Sequence, residues 1–260
     1  MKKTLIALAV AASAVVSCSA MASGWEQNGS GTSVEMGGTL TPVAKVTPWE
    51  VKTGDAVTNL DAQVQKGQTS VTVNVNEAIP VLGIRNANVN GFNGCEGIKP
   101  QISYNNAVDI NGFHDGVTTV TLSVQDVSGS AIGTMTAPFS AAALSSWSGS
   151  KPTSKALYAG QNTDSFYGGL GKGSGAVRNH GALELITALS SDFVAKWKQQ
   201  GDMYKDAGVE KFDNSDVIFF GVYGAGIEKG KAITITLNNA VTSNDQIQWR
   251  ASLPVTVTYM

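Results

Sequence analysis

The last part of the chain has the strictest alternation of apolar and polar positions. From 247 to 259, every second residue is apolar or aromatic, and the residues between them are mostly polar. Because successive side chains of a β-strand point to opposite faces, this pattern predicts one strand of about 40 Å with a single buried face. The apolar positions are Ile247, Trp249, Ala251, Leu253, Val255, Val257 and Tyr259. No further strand pattern follows in the sequence, which raises the question of what pairs with the free edge.

The same alternation predicts a series of short strands through much of the chain. Residues 70–76 alternate through Val71, Val73 and Val75, and glycine-containing turns separate the segments. The other predicted strands are 46–52, 79–84, 101–104, 118–125, 131–136, 216–223 and 231–238. Repeated short strands joined by turns predict an all-β domain of the sandwich type.

One stretch, from about 141 to 214, interrupts the β pattern as an insert. Residues 181–200 carry apolar positions at helical spacing, and Gly201 provides a stop signal. The apolar positions of this predicted amphipathic helix are Leu185, Ile186, Leu189, Phe193 and Trp197. We expect the apolar face to pack on the sheet and the surrounding loops to be available for recognition.

The N-terminus has the pattern of a secretory signal peptide. Lys2 and Lys3 precede a short apolar run, and the small-x-small motif AMA ends at Ala22. We therefore expect a signal peptide at 1–22 and export from the cytoplasm. A lipoprotein cleavage site before Cys18 is the alternative, but its sequence match is looser.

A flexible arm is predicted at 23–41, ahead of a single domain at 42–260 that contains the insert. The arm is rich in Gly, Ser and Thr, and it has too few apolar groups to offset the entropy of ordering by itself. It nevertheless contains a weak strand pattern through Thr32, Val34, Met36, Gly38 and Leu40.

Composition and motifs argue against several classes of function. Of the 18 basic residues, Lys2 and Lys3 lie in the signal peptide, which leaves 16 against 20 acidic residues and disfavours nucleic acid binding. His114 and His180 lie in polar turns without metal-ligand spacing, and no nucleophile-elbow motif is present. The glycine-rich segment 168–177 lacks the residue order of a phosphate loop, and 212–216 is an incomplete calcium loop.

We therefore expect no cofactor, no metal and no enzyme activity. A secreted β-sandwich hydrolase with scattered carboxylates is the alternative from another class. Cys95 is the single cysteine after the signal peptide, and we expect it to be a small buried apolar residue.

An incomplete sandwich explains the arm and the C-terminal strand together. If the sandwich lacks its final strand, the C-terminal strand borders a groove with bare ladder groups and exposed apolar core. A strand from another chain then fills the groove, and the arm at 32–40 is the predicted donor. Donation from each subunit to the next is a head-to-tail contact, which generates an open filament.

Several motifs carry a resemblance to a known family over nearly the whole chain. They are YGAGIEKGKAITITLNNAVTSNDQIQWRASLPVTVTYM at 223–260, VEMGGTL in the arm, TPWEVKTG near Trp49 and FYGGL in the insert. Together with the signal peptide, they resemble the FaeG-type family of chaperone–usher fimbrial subunits, which build adhesive fimbriae of enterotoxigenic Escherichia coli.

The resemblance implies an incomplete immunoglobulin-like β-sandwich that is completed by donor-strand exchange. It implies Val34, Met36 and Leu40 as donor-strand residues. It also implies identical or related subunits, a periplasmic chaperone and an outer-membrane usher as partners, and a fimbrium on the cell surface as the location. The groove-edge and chaperone-binding strand would contain Trp249, Leu253, Val255, Val257 and Tyr259.

In the best-known members, the major subunit is also the adhesin, and its insert binds host glycoconjugates. Trp147, Tyr158 and Tyr167 are candidate glycan-binding residues because aromatic faces suit sugar stacking, with core packing as the alternative for each. A minor structural subunit without receptor binding is the alternative function. Pro254 departs from the pattern, since it removes a ladder donor and favours an edge position, and Met260 replaces a terminal aromatic residue.

Overall fold

The computed structural model describes residue 27 and residues 36–41 and 46–260. The chain divides into two compact units, Met1–Lys45 and Val46–Met260. The predicted signal peptide at 1–22 and the donor-strand residue Val34 lie outside the described residues. Residues 36–41 have no regular secondary structure, and the side chains of Met36 and Leu40 are 93% and 96% exposed.

The unit from Val46 onward consists mostly of β-strands, with one short α-helix, α1 (Ala182–Leu189). The strands are β1 (Trp49–Thr53), β2 (Ser70–Asn74), β3 (Ile79–Asn86), β4 (Phe92–Asn93), β5 (Pro100–Ser103), β6 (Val117–Gln125), β7 (Ala131–Trp147), β8 (Thr153–Ala156), β9 (Asp202–Met203), β10 (Ile218–Ile227), β11 (Ala232–Leu237) and β12 (Thr256–Tyr259). The prediction of an all-β fold with a small helical insert is confirmed.

The main sheet has the order β1-β3-β10-β7-β11-β2. Its central member is β7, a strand of 17 residues that is bonded along both edges. One edge pairs with β11 and then β10, and the other pairs with β6 and then β8, all antiparallel. A second, two-stranded sheet contains β5 and β12.

The second half of β7 explains why the sequence pattern was misread around residue 141. From Phe139 to Ser146 every residue is buried, so apolar and small residues occupy both faces and the alternation is lost. Ala141 and Ala143 face the main core, whereas Ala142 and Leu144 face a second cluster beneath α1. The predicted strand at 131–136 was therefore too short, because a strand covered on both faces has no polar side to give a period of two.

The predicted helix at 181–200 was too long. Its backbone leaves the helical conformation at Ser190, in the polar run Ser190, Ser191 and Asp192. The chain then proceeds through tight turns, in which the N–H groups of Phe193, Ala195 and Trp197 each donate to the carbonyl three residues before them. Phe193 and Trp197 still pack on the cluster beneath α1, so the apolar spacing is maintained without a helical backbone.

The long predicted strand at 247–259 is regular only at its end. β12 covers Thr256–Tyr259 and pairs with β5, while the upstream part is held by a single bridge between Arg250 and Gln125. The expectation for Cys95 was also wrong, because this residue is exposed. Its backbone N–H donates to the carbonyl of Phe212, which ties the main chain to the fold and leaves the side chain at the surface.

Candidate functional site

The alternation at the end of the chain forms a face of half-buried apolar side chains. Between 249 and 260, every odd-numbered residue is partly buried and every even-numbered residue is exposed. The residues of this face pack against the main core: Trp249, Ala251, Leu253, Val255, Val257 and Tyr259. Strands inside a complete sandwich interdigitate their inward side chains, so the partial exposure of this face indicates apolar surface that no other part of 46–260 covers.

Only one edge of this C-terminal segment, 249–259, is hydrogen-bonded. β12 pairs with β5, and the backbones of Lys99 and Met260 extend that ladder with two bonds of 3.1 Å. Upstream, Arg250 and Gln125 exchange two bonds of 2.9 Å. Among the residues that the structure describes, no group bonds to the opposite backbone edge of the segment. The segment therefore combines a bare ladder edge with half-buried apolar surface.

β2 provides a second bare edge on the same core. It is the last strand at one end of the main sheet, and within 46–260 it bonds only to β11. Val73 is buried and Val71 is partly buried in the cluster that also contacts the C-terminal segment. Two strands with unbonded edges thus contribute to one hydrophobic core.

The FYGGL motif lies on the far side of β5 from β12. The N–H of Ile102 donates to the carbonyl of Tyr167 at 2.8 Å, and the N–H of Phe166 donates to the carbonyl of Pro100 at 2.6 Å. Gly168 has a positive φ of 79° and lies so close to the carbonyl of Ile102 that a side chain at this position would overlap it. The motif is therefore a strap that fastens the insert to the strand beside the C-terminal segment.

Two buried tyrosines lock this strap to the main sheet. The hydroxyls of Tyr104 and Tyr223 are 2.7 Å apart, and the Tyr223 hydroxyl donates to the carbonyl of Gly169 at 3.0 Å. Tyr104 therefore donates to Tyr223. Burial raises the pKa of both hydroxyls above the ordinary value, so both stay protonated and neutral.

The three candidate glycan-binding aromatics do not form a shared platform. Trp147, Tyr158 and Tyr167 are all partly buried and pack against the main core. Trp147 has the ammonium of Lys155 at 4.9 Å from its ring centroid. That ammonium is held by the carbonyl of Val209 at 2.6 Å and by the carboxylate of Glu210 at 3.2 Å. These contacts give Lys155 and Trp147 a clear packing role.

Tyr204 is an aromatic that the sequence prediction missed. Its side chain is 53% exposed, and its ring centroid lies 6.1 Å from that of Trp147. In the part of the chain that the structure describes, it is the one aromatic residue classed as exposed. Its position in the polar stretch DMYKD, after the predicted helix, was the available sequence signal.

A network of ion pairs fastens the turn after α1 to the edge of the main sheet. Glu50 contacts Lys196 at 2.7 Å and Arg85 at 2.9 Å, and Asp192 contacts Lys52 and Arg85 at 2.9 Å each. Hydrogen bonds from Lys196 and Arg85 lower the pKa of Glu50 below its ordinary value. Hydrogen bonds from Lys52 and Arg85 lower the pKa of Asp192 in the same way. This network is a structural clamp on the opposite face from the main core.

No group of three His, Cys, Asp or Glu side chains suited to a metal ion is found in the described part of the chain. His114 lies in a tight turn, in which its backbone and the backbone of Val117 exchange two hydrogen bonds. None of the described helices has the length and apolar character needed to cross a membrane.

Comparison with known proteins places these features in a family. The model of the family described as fimbrial, major and minor subunit matches residues 1–260. The chain is 30% identical to the K88 fimbrial protein AB and 29% identical to the K88 fimbrial protein AC, both of Escherichia coli, over the full length of each chain. It is 26% identical to the F41 fimbrial protein of the same organism, again over the full length of both.

The relatives are structural subunits of fimbriae and not enzymes, which removes the secreted hydrolase from consideration. Assembly with other fimbrial subunits and a location in a surface fimbrium follow from membership. The resemblance seen in the motifs is confirmed. The chain belongs to the K88 family of major and minor fimbrial subunits.

Proposed function

We propose that this fimbrial subunit is an incomplete immunoglobulin-like sandwich that polymerises by donor-strand complementation into adhesive fimbriae. The observation that carries the proposal is the backbone edge of the C-terminal segment that has no partner within 46–260, beside its half-buried apolar face. An extended segment that adds a strand there satisfies the backbone groups and covers the apolar side chains at the same time.

The proposed donor is the arm at 23–41 of a neighbouring copy. Met36 and Leu40 are almost entirely exposed, so their side chains are available to an acceptor. Val34 is the third apolar residue of the proposed donor strand. Because the donating and accepting surfaces differ, each copy can donate to one neighbour and accept from another, which builds a filament.

Before assembly, a strand of a periplasmic chaperone is the proposed occupant of the same edge. Its basic residues would bind the terminal carboxylate of Met260, next to Lys99. Export through the periplasm begins with the signal peptide at 1–22 and ends at an outer-membrane usher. This route is the proposed path of the subunit to the cell surface.

Deletion of 23–41 from the mature chain tests the donor role. We expect no fibres by electron microscopy, while the shortened chain, purified with its chaperone, still accepts a synthetic peptide of residues 32–41. Leu40→Asp in the intact chain should likewise block fibre formation, because a charge would enter the apolar groove. Thr39→Asp is the matched control, since the neighbouring residue faces outward. Fibres of normal length from the deletion variant would overturn the proposal.

Adhesion to host glycoconjugates is the second part of the proposal, and the exposed ring of Tyr204 next to Trp147 favours it. Aromatic rings with an accessible face suit the apolar face of a sugar. The test is binding of fibres to enterocyte membranes and to a glycan array. Tyr204→Ala should weaken binding, whereas Val127→Ala, at an exposed loop position, should leave it unchanged. Unchanged adhesion by the tyrosine variant would favour a minor structural subunit instead.

A further inference from the structure

Four adjacent strands, β2, β11, β7 and β6, carry hydroxyl side chains on their outer face. Their inward residues, such as Val73, Ile235 and Met135, are buried in the main core. The registers of the three strand pairs align the outward residues into two complete rows across the sheet. One row contains Thr72, Thr234, Thr136 and Thr121, and the other contains Ser70, Thr236, Thr134 and Ser123. These eight residues form what we call the hydroxyl face.

The hydroxyl face and the strands that build it are free of charge. Within β2, β6, β7 and β11 there is no Asp, Glu, Lys or Arg, although 15% of the chain is charged. The preference of strands for β-branched residues accounts for threonine here. It does not account for the missing charges, because the exposed strand β1 carries both Glu50 and Lys52. Charged residues on exposed sheets prevent association, so their absence indicates a surface that meets another molecule.

A second copy of the same face is the partner that this chemistry fits. Each hydroxyl group both donates and accepts hydrogen bonds, so a face of hydroxyls is complementary to itself. After the predicted signal peptide, the chain has 16 basic and 20 acidic residues, and two copies therefore repel each other overall. The uncharged face is a place where two copies can approach without bringing like charges together.

The size of the face determines where such a contact can work. A third, partial row, in which Thr119 lies opposite Pro138 and Asn74 opposite Ala232, is also uncharged. Four strands and three rows cover about 400 Å², given roughly 4.8 Å between strands and 6.8 Å between rows. A stable interface needs about 800 Å² from each partner. One contact is therefore too weak to hold two free subunits, but many contacts between two fibres add up.

We propose that the hydroxyl face mediates side-by-side association of fimbriae, and that its partner is the same face of a subunit in a neighbouring fibre. This inference rests on the proposed assembly of the subunit into fibres. It adds a lateral contact, in which both partners contribute the same surface, to the head-to-tail contact that builds each fibre.

A charge placed in the middle of the hydroxyl face tests the inference on fibres of the full mature chain. Low-speed sedimentation and electron microscopy measure bundle formation. Unaltered fibres should sediment as bundles. Thr134→Lys should lower the sedimented fraction about tenfold while single fibres keep their normal length, because the contact would bury an unpaired ammonium group many times along each fibre.

Two matched variants control for the substitution itself. Thr134→Ser keeps the hydroxyl group and should sediment like the unaltered fibres. Thr53→Lys adds the same charge at an exposed threonine of β1, outside the hydroxyl face, and should also leave bundling unchanged. If Thr134→Lys assembles no fibres, Thr121→Lys, at an exposed position of the same face, replaces it with the same expected loss of bundles.

Salt dependence of the unaltered fibres separates this contact from one that is built on ion pairs. Raising the ionic strength from about 0.01 M to about 0.15 M should increase bundling, because salt screens the repulsion between fibres of like charge. A contact held by ion pairs would weaken over the same range.

The outcomes that contradict the inference differ from those that contradict the proposed function. Unaltered fibres that stay single at every salt concentration would overturn the inference alone, as would bundles that weaken with salt or persist in both lysine variants. Loss of binding to enterocyte membranes by Thr134→Lys with bundling retained would assign the face to a glycan and overturn it too. A chain that assembles no fibres would overturn the proposed function and the inference with it.

Discussion

β7 and the C-terminal segment are both long extended stretches, and their surroundings are opposite. β7 is bonded along both edges, and its second half is buried on both faces by the main core and the cluster beneath α1. The C-terminal segment is bonded along one edge and half-buried on one face. Within 46–260, the fold therefore pairs both edges of its central strand and one edge of its last strand, and the proposed donor-strand complementation rests on this difference.

Truncation of a side chain in β7 should give the largest effect. Leu144 is 1% exposed between β7 and the helix, so Leu144→Ala should lower the free energy of unfolding by about 2–5 kcal/mol. Urea unfolding followed by tryptophan fluorescence measures it. The exposed Val89 offers a control, because Val89→Ala should change stability by less than about 0.5 kcal/mol. Equal small losses at Leu144 and Val89 would contradict the burial of β7 on both faces, on which its contrast with the C-terminal segment depends.

Removal of one hydroxyl from the buried tyrosine pair should give the next largest effect. Tyr223→Phe leaves the Tyr104 hydroxyl and the Gly169 carbonyl without their partner, which should cost about 1–3 kcal/mol of unfolding free energy. Tyr204→Phe, at an exposed ring, is the matched control with no expected change. Hydrogen exchange should report faster opening of 166–170 in the buried variant. A variant as stable as the unaltered protein would show that the strap does not depend on this pair.

Truncation of Leu253 sharpens the comparison, because its effect should depend on the neighbour. In the isolated subunit, Leu253→Ala should cost about 1 kcal/mol, since the side chain is only partly buried. With the peptide of residues 32–41 bound, the cost should rise toward about 2–3 kcal/mol as burial becomes complete. Thermal unfolding with and without peptide measures both values. The same loss in both states would mean that the peptide does not cover this face.

Acidification should give the smallest effect and should act on the clamp near α1, away from the open edge. The native pKa values of Glu50 and Asp192 are lowered, so their contribution is present above the unfolded values of roughly 4 and is lost as pH falls through the native values. The urea midpoints at pH 7 and pH 3 should therefore differ less in the double variant Glu50→Gln and Asp192→Asn than in the unaltered protein, with a remaining difference from Asp126, whose pKa is also lowered by hydrogen bonds from Ser128 and Ser130.

The control for this pH series is Glu96→Gln, at an exposed position, which should keep the pH dependence of the unaltered protein. The peptide affinity of the double variant at pH 7 should equal that of the unaltered chain. A double variant that loses stability at pH 3 as steeply as the unaltered protein would rule out the clamp as the source of the effect.

The local patterns of the sequence were sufficient for most strands and for the phase of the last one. Strands whose faces differ in polarity, such as β2, β6 and β11, were found within a few residues of their ends. The odd-numbered face of the C-terminal segment was also evident, because alternation records which side of a strand meets a core. The family motifs then indicated a fimbrial subunit.

Tertiary structure decided the features in which distant segments meet. The length of β7 was hidden because burial on both faces removes alternation, and α1 ended early because Asp192 and its neighbours are held by turns and by Arg85 and Lys52. Tyr204 and Cys95 are exposed because no distant part of 46–260 packs over their side chains, and a local sequence pattern does not record such packing.

The sequence by itself thus determined the strand content and the polarity of each face, since these depend on residues one or two positions apart. Only the tertiary structure showed which backbone edge of 249–259 is bonded and which has no partner within 46–260. Edge pairing joins residues more than a hundred positions apart, such as Arg250 and Gln125, so no local pattern records it.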